Sequence, residues 1–299
     1  MFDQVSIIGC GLIGSSVLRC LKKNKTVKKL VSFDSNKSVN DIIKKENLTD
    51  QIAPNPSEAV KNSDLILIAT PLSSFESVIS SIKDNIKSGS ILTDTCSVKT
   101  GVNNIVTKMK IKNSIWIPGH PVAGTENSGP NAGQFDLFNG RWTILCPDKS
   151  IEETQIKKVR SFWESMGSKV KIMSVEDHDK IISLTSHLPH VIAYNIVKTT
   201  MNTDEKTKND IVRYSAGGLR DFTRIAASDP TMWKDIFVNN SSLIIEAIDK
   251  FSESLDEFKK AIKEKNSEKL LEIFEKSKEF RKSIIKAGQD TNKPDFGRK

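Results

Sequence analysis

The sequence predicts an α/β protein, in which an N-terminal doubly wound Rossmann-type sheet is followed by an all-α domain. Short apolar runs of strand length alternate with amphipathic segments of helix length up to about residue 173, and this alternation is typical of a parallel sheet covered by helices. Beyond that point strands stop and nearly every segment is helical. We therefore expect a sheet domain over residues 1–174, a helical domain over residues 175–288 and a flexible tail over residues 289–299.

The first turn of the predicted sheet carries a glycine motif, GCGLIG at residues 9–14. It follows a strand at Gln4–Ile8 and leads directly into a helix, as a dinucleotide-binding turn requires. In such a turn Gly9 allows the tight bend, Gly11 lets a pyrophosphate approach the backbone, and Gly14 lets the helix pack on the strand. The N-terminus of the helix then faces the anion. The residues predicted to bind the cofactor here are Gly9, Gly11, Leu12, Ile13 and Gly14.

The second predicted strand, Leu30–Phe33, ends at Asp34. A carboxylate in this place accepts a hydrogen bond from the ribose 2′-hydroxyl and repels a 2′-phosphate. The next residues, Ser35 and Asn36, offer no arginine to receive such a phosphate. The sequence therefore predicts NAD as the cofactor and disfavours NADP.

Two further predicted strands, Leu65–Ala69 and Ser90–Thr93, are followed by small polar residues. The carboxyl ends of parallel strands meet at one edge of the sheet, beside the cofactor crevice. We therefore expect Thr70, Pro71 and Ser97 to lie next to the nicotinamide half of the cofactor. For Ser97 the alternative is an ordinary helix N-cap.

A buried strand beginning at Ile115 leads into an irregular segment with prolines on both sides of His120. Because proline cannot donate to a strand ladder, we expect pairing to end there. His120 can titrate near neutral pH and would lie at the carboxyl end of a strand, where reaction sites occur in open α/β sheets. The alternative is a rigid turn whose histidine bonds nearby backbone. Two more strands are predicted, at Trp142–Cys146 and Lys169–Met173.

The first helix of the second half is expected to begin at Asp177, with acids in its first turn. Pro189 lies inside it, and an interior proline costs a helix about 3 kcal/mol, so the break indicates a functional site. Ser186 and His190 are four residues apart and share a face, whereas His187 lies on another flank and is predicted to be structural. The predicted apolar stripe is Ile181, Leu184, Leu188 and Val191.

Two glycines at positions 217 and 218 lead into a helix that carries Arg220 and Arg224 on one face. A guanidinium matches the geometry of a carboxylate with two parallel hydrogen bonds, so these arginines are predicted to bind a substrate carboxylate. The alternative is an internal ion pair between Asp221 and Arg224.

A long helix is expected to begin at Pro230, with Asp229 as its cap. A second helix is predicted from Ser267 to about Ala287, stopped by Gly288. The long helix has apolar residues at alternating steps of three and four, as in a coiled-coil seam: Ile244, Ile248, Phe251, Leu255, Phe258 and Ile262. We therefore expect a homodimer that forms through these C-terminal helices.

The composition of the chain indicates where the protein is located and which kinds of partner it is expected to bind. The longest apolar runs have strand length, and no cationic segment followed by an apolar one precedes the first strand, so we expect a cytoplasmic protein without a membrane span. The four cysteines are scattered without zinc spacing, so no metal is expected. The net charge of +8 comes from lysines interleaved with glutamates, which does not indicate nucleic-acid binding but would help to attract a small anionic substrate.

Five motifs in this order resemble the prephenate/arogenate dehydrogenase family of tyrosine biosynthesis: GCGLIGSS, TDTCSVK, GHPVAGTENSG, SHLPH and GGLRDFTRIAASDP. The resemblance runs from Val5 to about Asn240. It implies a dinucleotide-binding domain joined to a helical dimerisation domain, and NAD(P)-dependent oxidative decarboxylation of a cyclohexadienyl substrate. Prephenate and arogenate differ only by a keto or an amino group on the side chain, and the sequence does not separate them.

The resemblance also implies roles for individual residues. His120 would contact the ring hydroxyl of the substrate, with Ser97 as its orienting neighbour, and Glu126 would lie at the site entrance. The residues implied in the substrate pocket are Ser186, His190 and, as the carboxylate anchor, Arg224. Two positions depart from the family pattern of glycine, namely Cys96 and Ser15.

Two other functions remain open from the sequence. One is an NAD-dependent dehydrogenase of another small hydroxy acid, of the kind that relies on a lysine. The other is a protein that senses NAD without catalysis. Neither requires His120, Arg224 and the Ser186–His190 segment together.

Overall fold

The computed structural model describes residues 2–111 and 114–287. Six parallel strands form the main sheet in the order β3-β2-β1-β4-β5-β6. The order reverses beside β1, which confirms the predicted doubly wound sheet. Its strands are β1 Gln4–Ile8, β2 Lys29–Phe33, β3 Gln51–Ile52, β4 Leu65–Ile68, β5 Ile91–Asp94 and β6 Ile115–Trp116.

Helices follow each of the first five strands and cover the sheet. They are α1 Leu12–Asn24, α2 Lys37–Lys45, α3 Pro56–Val60, α4 Leu72–Ile82 and α5 Lys99–Met109. Every residue of β4 is buried, because a central parallel strand has helices on both faces. Local capping sets two of the helix starts, since the side chains of Asn36 and Asn55 accept backbone N–H groups of α2 and α3.

A second, three-stranded sheet contains the predicted His120 segment. Its strands are β7 Gly119–Pro121, β8 Trp142–Leu145 and β9 Lys169–Ile172, and the helix α6 Glu153–Glu164 connects the last two. The prediction that strand pairing ends at the prolines was wrong, because His120 pairs with Ile144 in an antiparallel ladder. Pro121 is tolerated there because β7 is an edge strand of this sheet.

The helical half begins with α7 Val175–Ile182, which is capped by the Ser174 side chain and starts two residues before the predicted position. A π-helical turn at Ser183–His187 follows, and α8 Leu188–Met201 then carries Pro189 in its first turn. The predicted apolar stripe was wrong in this part, because Ile181 and Leu184 are exposed, at 44% and 46%. The buried face is formed instead by Ile182, Ser183 and His187, and the π turn that begins at Ser183 shifts the buried positions that follow it.

The next helices are α9 Glu205–Tyr214, α10 Gly217–Thr223, a 3₁₀ turn at Arg224–Ala227, and α11 Pro230–Asn239. The side chain of Asp229 caps α11, as predicted. The predicted single long helix is in fact divided at Asn240, and α12 Ser241–Lys263 and α13 Ser267–Lys286 follow. Gly288 and the predicted tail lie outside the described residues.

Contacts group the chain into two compact units, Met1–Ile244 and Ile245–Lys299. The predicted domain boundary near residue 174 therefore stays a prediction. Within the second unit, Phe258 of α12 packs on Phe274 of α13 with ring centroids 6.0 Å apart. Among the helices described, none is long and apolar enough to cross a membrane.

Candidate active site

The glycine turn after β1 has the shape that a dinucleotide needs. Gly9 has φ +90°, and a Cβ atom there would lie 2.6 Å from the carbonyl oxygen of Ala69. A Cβ atom on Gly14 would lie 1.9 Å from the carbonyl oxygen of Gly9, whereas one on Gly11 would meet no described atom within 4 Å. Only glycine therefore fits at the turn and at the helix packing point, and open space lies in front of Gly11, the N-cap of α1.

Two polar groups beside this turn also fit a dinucleotide. The Asp34 carboxylate, at the end of β2, accepts the backbone N–H groups of Cys10 and Asn36 at 2.8 Å each, so its position is fixed. Thr70 follows β4, and its Oγ1 is buried without a hydrogen-bond partner among the described residues. Pro71 is the N-cap of α4, and Leu12 and Ile13 form the first turn of α1. The residues present thus fit an NAD molecule.

His120 is buried, at 8% exposure, in β7. Its Nδ1 lies 2.8 Å from Nε2 of His178, and the planes of the two rings are inclined at 68°. Ser97, the predicted orienting neighbour, is half-buried, and no side-chain hydrogen bond of Ser97 occurs among the described residues. Ser97 is not an N-cap either, because that position of α5 is Val98. The side chain that is hydrogen-bonded to His120 in this structure is His178, and the orienting role of Ser97 stays a prediction.

His178 is connected in turn to Asp179. The Nδ1 atom of His178 lies 2.8 Å from Oδ1 of Asp179. The same carboxylate accepts the backbone N–H groups of Lys99 and Thr100, at 2.8 Å each. Asp179 thereby caps α5 from a distant helix, in place of Val98, which has no polar side chain.

A buried ion pair supports the strand that carries His120. Lys99 Nζ lies 2.5 Å from Oδ2 of Asp94, and neither side chain is exposed. Lys99 Nζ also donates to the carbonyl oxygen of Gly119, and the N–H group of Gly119 donates to Oδ1 of Asp94. The residue before His120 is therefore held on both sides by this pair.

The site holds neutral imidazoles beside a carboxylate. Burial, followed by the neighbouring His178 and Lys99, holds the pKa of His120 well below 6.5. Burial also lowers the pKa of His178, against the opposing effect of its bond to Asp179. For Asp179, burial favours the neutral acid, but the hydrogen bonds from His178 and Thr100 outweigh it and lower the pKa. Both rings are therefore neutral at pH 7, and Asp179 is ionised.

Two histidines of the helical half lie against Trp233. His190 stacks on the Trp233 ring with centroids 3.5 Å apart, and its Nδ1 donates to the carbonyl oxygen of Ser186 at 2.8 Å. His187 is fully buried against the other side of the cluster, where its Nδ1 lies 3.1 Å from the Asn240 amide nitrogen. This placement agrees with a structural role for His187 and leaves His190 half-buried at the site.

The two predicted arginines lie in different surroundings. Arg224 Nη1 lies 2.9 Å from Oε2 of Glu126, and both side chains are about one-third exposed. Arg220 is exposed, and its Nε lies 3.7 Å from Oδ1 of Asp221. The alternative pairing of Asp221 with Arg224 was therefore wrong. The structure brings Arg224 together with Glu126, which belongs to the loop after His120.

The two departures from the family pattern are accommodated. Cys96 does not occur among the described non-glycine residues with positive φ, so its side chain causes no strain of that kind. Its sulfur lies 3.7 Å from the carbonyl oxygen of Thr70, and burial raises the pKa of the thiol. Ser15 is buried, and its hydroxyl lies 3.3 Å from each of the carbonyl oxygens of Leu12 and Pro130, to one of which it can donate.

Sequence reasoning missed His178, Asp179, the Asp94–Lys99 pair and Trp233. The triplet Asp177-His178-Asp179 was visible, but its acids were interpreted as favourable charges in the first turn of their own helix. A buried lysine cannot be distinguished from a surface lysine by composition. No cluster of three or more potential metal-binding side chains occurs among the described residues.

Mild acid should destabilise the fold through His187. Burial lowers the pKa of His187 from 6.5 to about 4, so below pH 6.5 the unfolded chain binds a proton that the folded chain does not. The stabilisation is complete above pH 6.5 and is lost as pH falls towards 4. Between pH 7 and pH 5 this residue alone should lower the free energy of unfolding by about 2 kcal/mol. Urea titrations between pH 7 and pH 5 should show that the free energy of unfolding depends less on pH in His187→Gln than in the wild-type protein. An equal pH dependence in the two proteins would show that His187 is not the group responsible.

Two family models match the sequence, one after the other. The prephenate dehydrogenase nucleotide-binding domain matches residues 17–172, and the prephenate dehydrogenase dimerization domain matches residues 174–276. Together they cover most of the chain.

Individual relatives of this chain support the same family. The cyclohexadienyl dehydrogenase of Zymomonas mobilis is 36% identical over 95% of this chain and 97% of its own length. The prephenate dehydrogenase of Bacillus subtilis is 28% identical over 95% of this chain and 76% of its own length. The solved structure of A. aeolicus prephenate dehydrogenase with hydroxyphenyl propionate and NAD⁺ superposes with a TM-score of 0.84 at 30% identity, covering 95% of this chain and 99% of that one. The chain therefore belongs to the prephenate dehydrogenase family.

Proposed function

We propose that this protein is an NAD-dependent prephenate or arogenate dehydrogenase, which oxidises and decarboxylates a cyclohexadienyl substrate to a phenol. The observation that carries the proposal is the joint placement of three features within the unit Met1–Ile244. These are the glycine turn, the buried neutral His120 and the half-buried Arg224 beside Glu126. Neither of the other functions considered from the sequence needs all three.

The proposed reaction assigns one task to each group. NAD⁺ supplies the hydride acceptor when bound. Nε2 of His120 accepts the proton of the substrate hydroxyl as the carbinol carbon is oxidised, and loss of the ring carboxylate as carbon dioxide then makes the ring aromatic. Arg224 binds a substrate carboxylate and fixes the orientation of the ring. Glu126 holds the guanidinium in place before substrate arrives.

The proposal is tested by measuring NADH and carbon dioxide from prephenate and from arogenate, each with NAD⁺ and with NADP⁺. We expect equal amounts of the two products from prephenate, and a preference for NAD⁺ that originates from Asp34. Turnover of small hydroxy acids without carbon dioxide would support the rival dehydrogenase. Binding of NAD⁺ without NADH formation from any of these substrates would support a sensing protein.

Arg224→Ala should raise the KM for prephenate by about 10- to 100-fold with a smaller change in kcat, because it removes a charge-assisted hydrogen bond to the substrate. Arg224→Lys should recover part of the loss, because it restores the charge but not the planar pair of donors. Arg220→Ala distinguishes the roles of the two arginines and should change KM less, since the Arg220 side chain is 69% exposed, against 33% for Arg224. Steady-state kinetics provide the measurement, and an unaltered KM in Arg224→Ala would exclude Arg224 as the anchor.

We also propose a homodimer that forms through the C-terminal helices. Large apolar side chains are exposed along both helices of the second unit: Ile245, Leu255, Ile262, Leu271, Phe274 and Phe280. Such a surface on one chain is typical of a protein interface. Light scattering should give twice the chain mass of 33.3 kDa, and a monomer at working concentration would contradict the dimer. The cytoplasmic location expected from the sequence stays a prediction.

A further inference from the structure

His120, His178 and Asp179 form a continuous chain of hydrogen bonds. The two links are Nδ1 of His120 to Nε2 of His178, and Nδ1 of His178 to Oδ1 of Asp179, each 2.8 Å long. All three side chains are buried, so water does not compete for these atoms. The carboxylate is itself fixed, because its two oxygens also accept the N–H groups of Lys99 and Thr100.

The Asp179 carboxylate determines which atom is the donor in each of these two hydrogen bonds. An ionised carboxylate can only accept, so Nδ1 of His178 must carry a hydrogen. A neutral imidazole has a single N–H group, so Nε2 of His178 is an acceptor and Nδ1 of His120 is the donor to it. The same rule leaves Nε2 of His120 with a lone pair.

We propose that His178 and Asp179 are positioning residues that hold His120 as the Nδ1–H tautomer, whose Nε2 accepts the proton of the substrate hydroxyl. The inference rests on the proposed function, in which His120 is the base. When the O–H bond breaks, its electron pair stays on oxygen and the proton forms the Nε2–H bond. The carboxylate of Asp179, acting through His178, stabilises the positive charge that then appears on His120. In the opposite tautomer Nε2 would carry a hydrogen and could accept nothing.

The tautomer can be observed directly in the full-length protein. The chain has four histidines, so ¹⁵N labelling of the imidazoles gives four rings that single substitutions assign. We expect His120 to show a protonated Nδ1 and an unprotonated Nε2 at neutral pH. Asp179→Asn removes the negative charge that fixes the hydrogen on Nδ1 of His178, so the fraction of His120 rings that carry their hydrogen on Nε2 should rise. Asp177→Asn changes an exposed carboxylate on the same helix and should leave the His120 ring unchanged.

Steady-state kinetics of His178 variants test the positioning role independently. They remain decisive if Asp179→Asn does not fold. His178→Gln keeps an amide oxygen that can accept from Nδ1 of His120, whereas His178→Leu keeps no acceptor. We expect kcat to fall by about 10-fold in the first variant and about 100-fold in the second, with little change in the KM for prephenate. Equal losses in both variants, or losses confined to KM, would indicate a merely structural role and overturn the proposal.

The two readouts also separate this inference from the proposed function. The expected tautomer in a protein that oxidises no cyclohexadienyl substrate would overturn the proposed function and leave the tautomer assignment standing. A protonated Nε2 on His120 of the active wild-type enzyme would overturn the role of His178 and Asp179.

Discussion

His120→Asn is expected to lower kcat by about 10²–10⁴, which is the usual contribution of a general base. The variant removes Nε2, the atom left with a lone pair by the bond between Nδ1 and His178. Affinity for NAD should be unchanged, because the glycine turn and Asp34 are separate from the β7 strand. Steady-state NADH formation at saturating prephenate measures the first quantity, and titration of the cofactor measures the second.

The matched comparison is His190→Asn, the same substitution on the histidine that stacks on Trp233. This variant should chiefly raise the KM for prephenate, because His190 lies within electrostatic reach of Arg224, the proposed substrate anchor. Thermal unfolding of both variants checks that the fold is retained. If kcat of His120→Asn equalled that of the unaltered enzyme, His120 could not be the base.

Lys99→Met should lower the free energy of unfolding by about 3–5 kcal/mol, the range found when one partner of a buried ion pair is removed. The substitution fills a similar volume but leaves the Asp94 carboxylate fully buried without its counter-charge. It also removes the donor to the Gly119 carbonyl group, next to His120. Urea unfolding followed by tryptophan fluorescence and by circular dichroism gives the measurement.

Two further variants make this test specific. Lys87→Met removes the lysine of an exposed ion pair with Asp64 and should cost less than about 1 kcal/mol. The double variant Asp94→Asn with Lys99→Met removes both buried charges and should be more stable than Lys99→Met alone. If Lys87→Met and Lys99→Met lowered the free energy of unfolding equally, burial of the Asp94–Lys99 pair would make no additional contribution to stability.

The main sheet could be predicted from sequence because its signals are local. The strand Gln4–Ile8 occurs where expected, and the glycine turn and Asp34 follow at the spacing that the motif requires. The strands β8 and β9 of the second sheet also occur where expected, but their pairing with β7 could not be predicted, because β7 pairs with a strand more than twenty residues away and lacks an alternating pattern of its own. The division of the long helix at Asn240 was missed for a similar reason. The Asn240 side chain bonds His187 and the backbone of Asp179, and no local sequence signal records those contacts.

The sequence allowed residues of the candidate site to be proposed, but not the contacts that hold them in place. His120, Arg224, Glu126 and His190 were identified by motif, and the structure places them in one compact unit. The residues that hold these side chains in place were not predicted. Asp179 caps a helix about eighty residues earlier in the chain, and Lys99 is buried by tertiary packing. A sequence pattern shows in which helix an acidic residue lies, but it does not show which other helix the side chain caps by accepting backbone N–H groups.

The cap that Asp179 provides for α5 also has a consequence for biosynthesis of the chain. The N–H groups of Lys99 and Thr100 receive their acceptor from a residue that the ribosome adds some eighty positions later. Until then the start of α5 lacks the hydrogen bonds that hold it in its final place, and with it the lysine beside Gly119. The nucleotide-binding half can thus emerge and begin to fold first, but the start of α5 is completed only when the first helix of the helical half, which carries Asp179, has been translated.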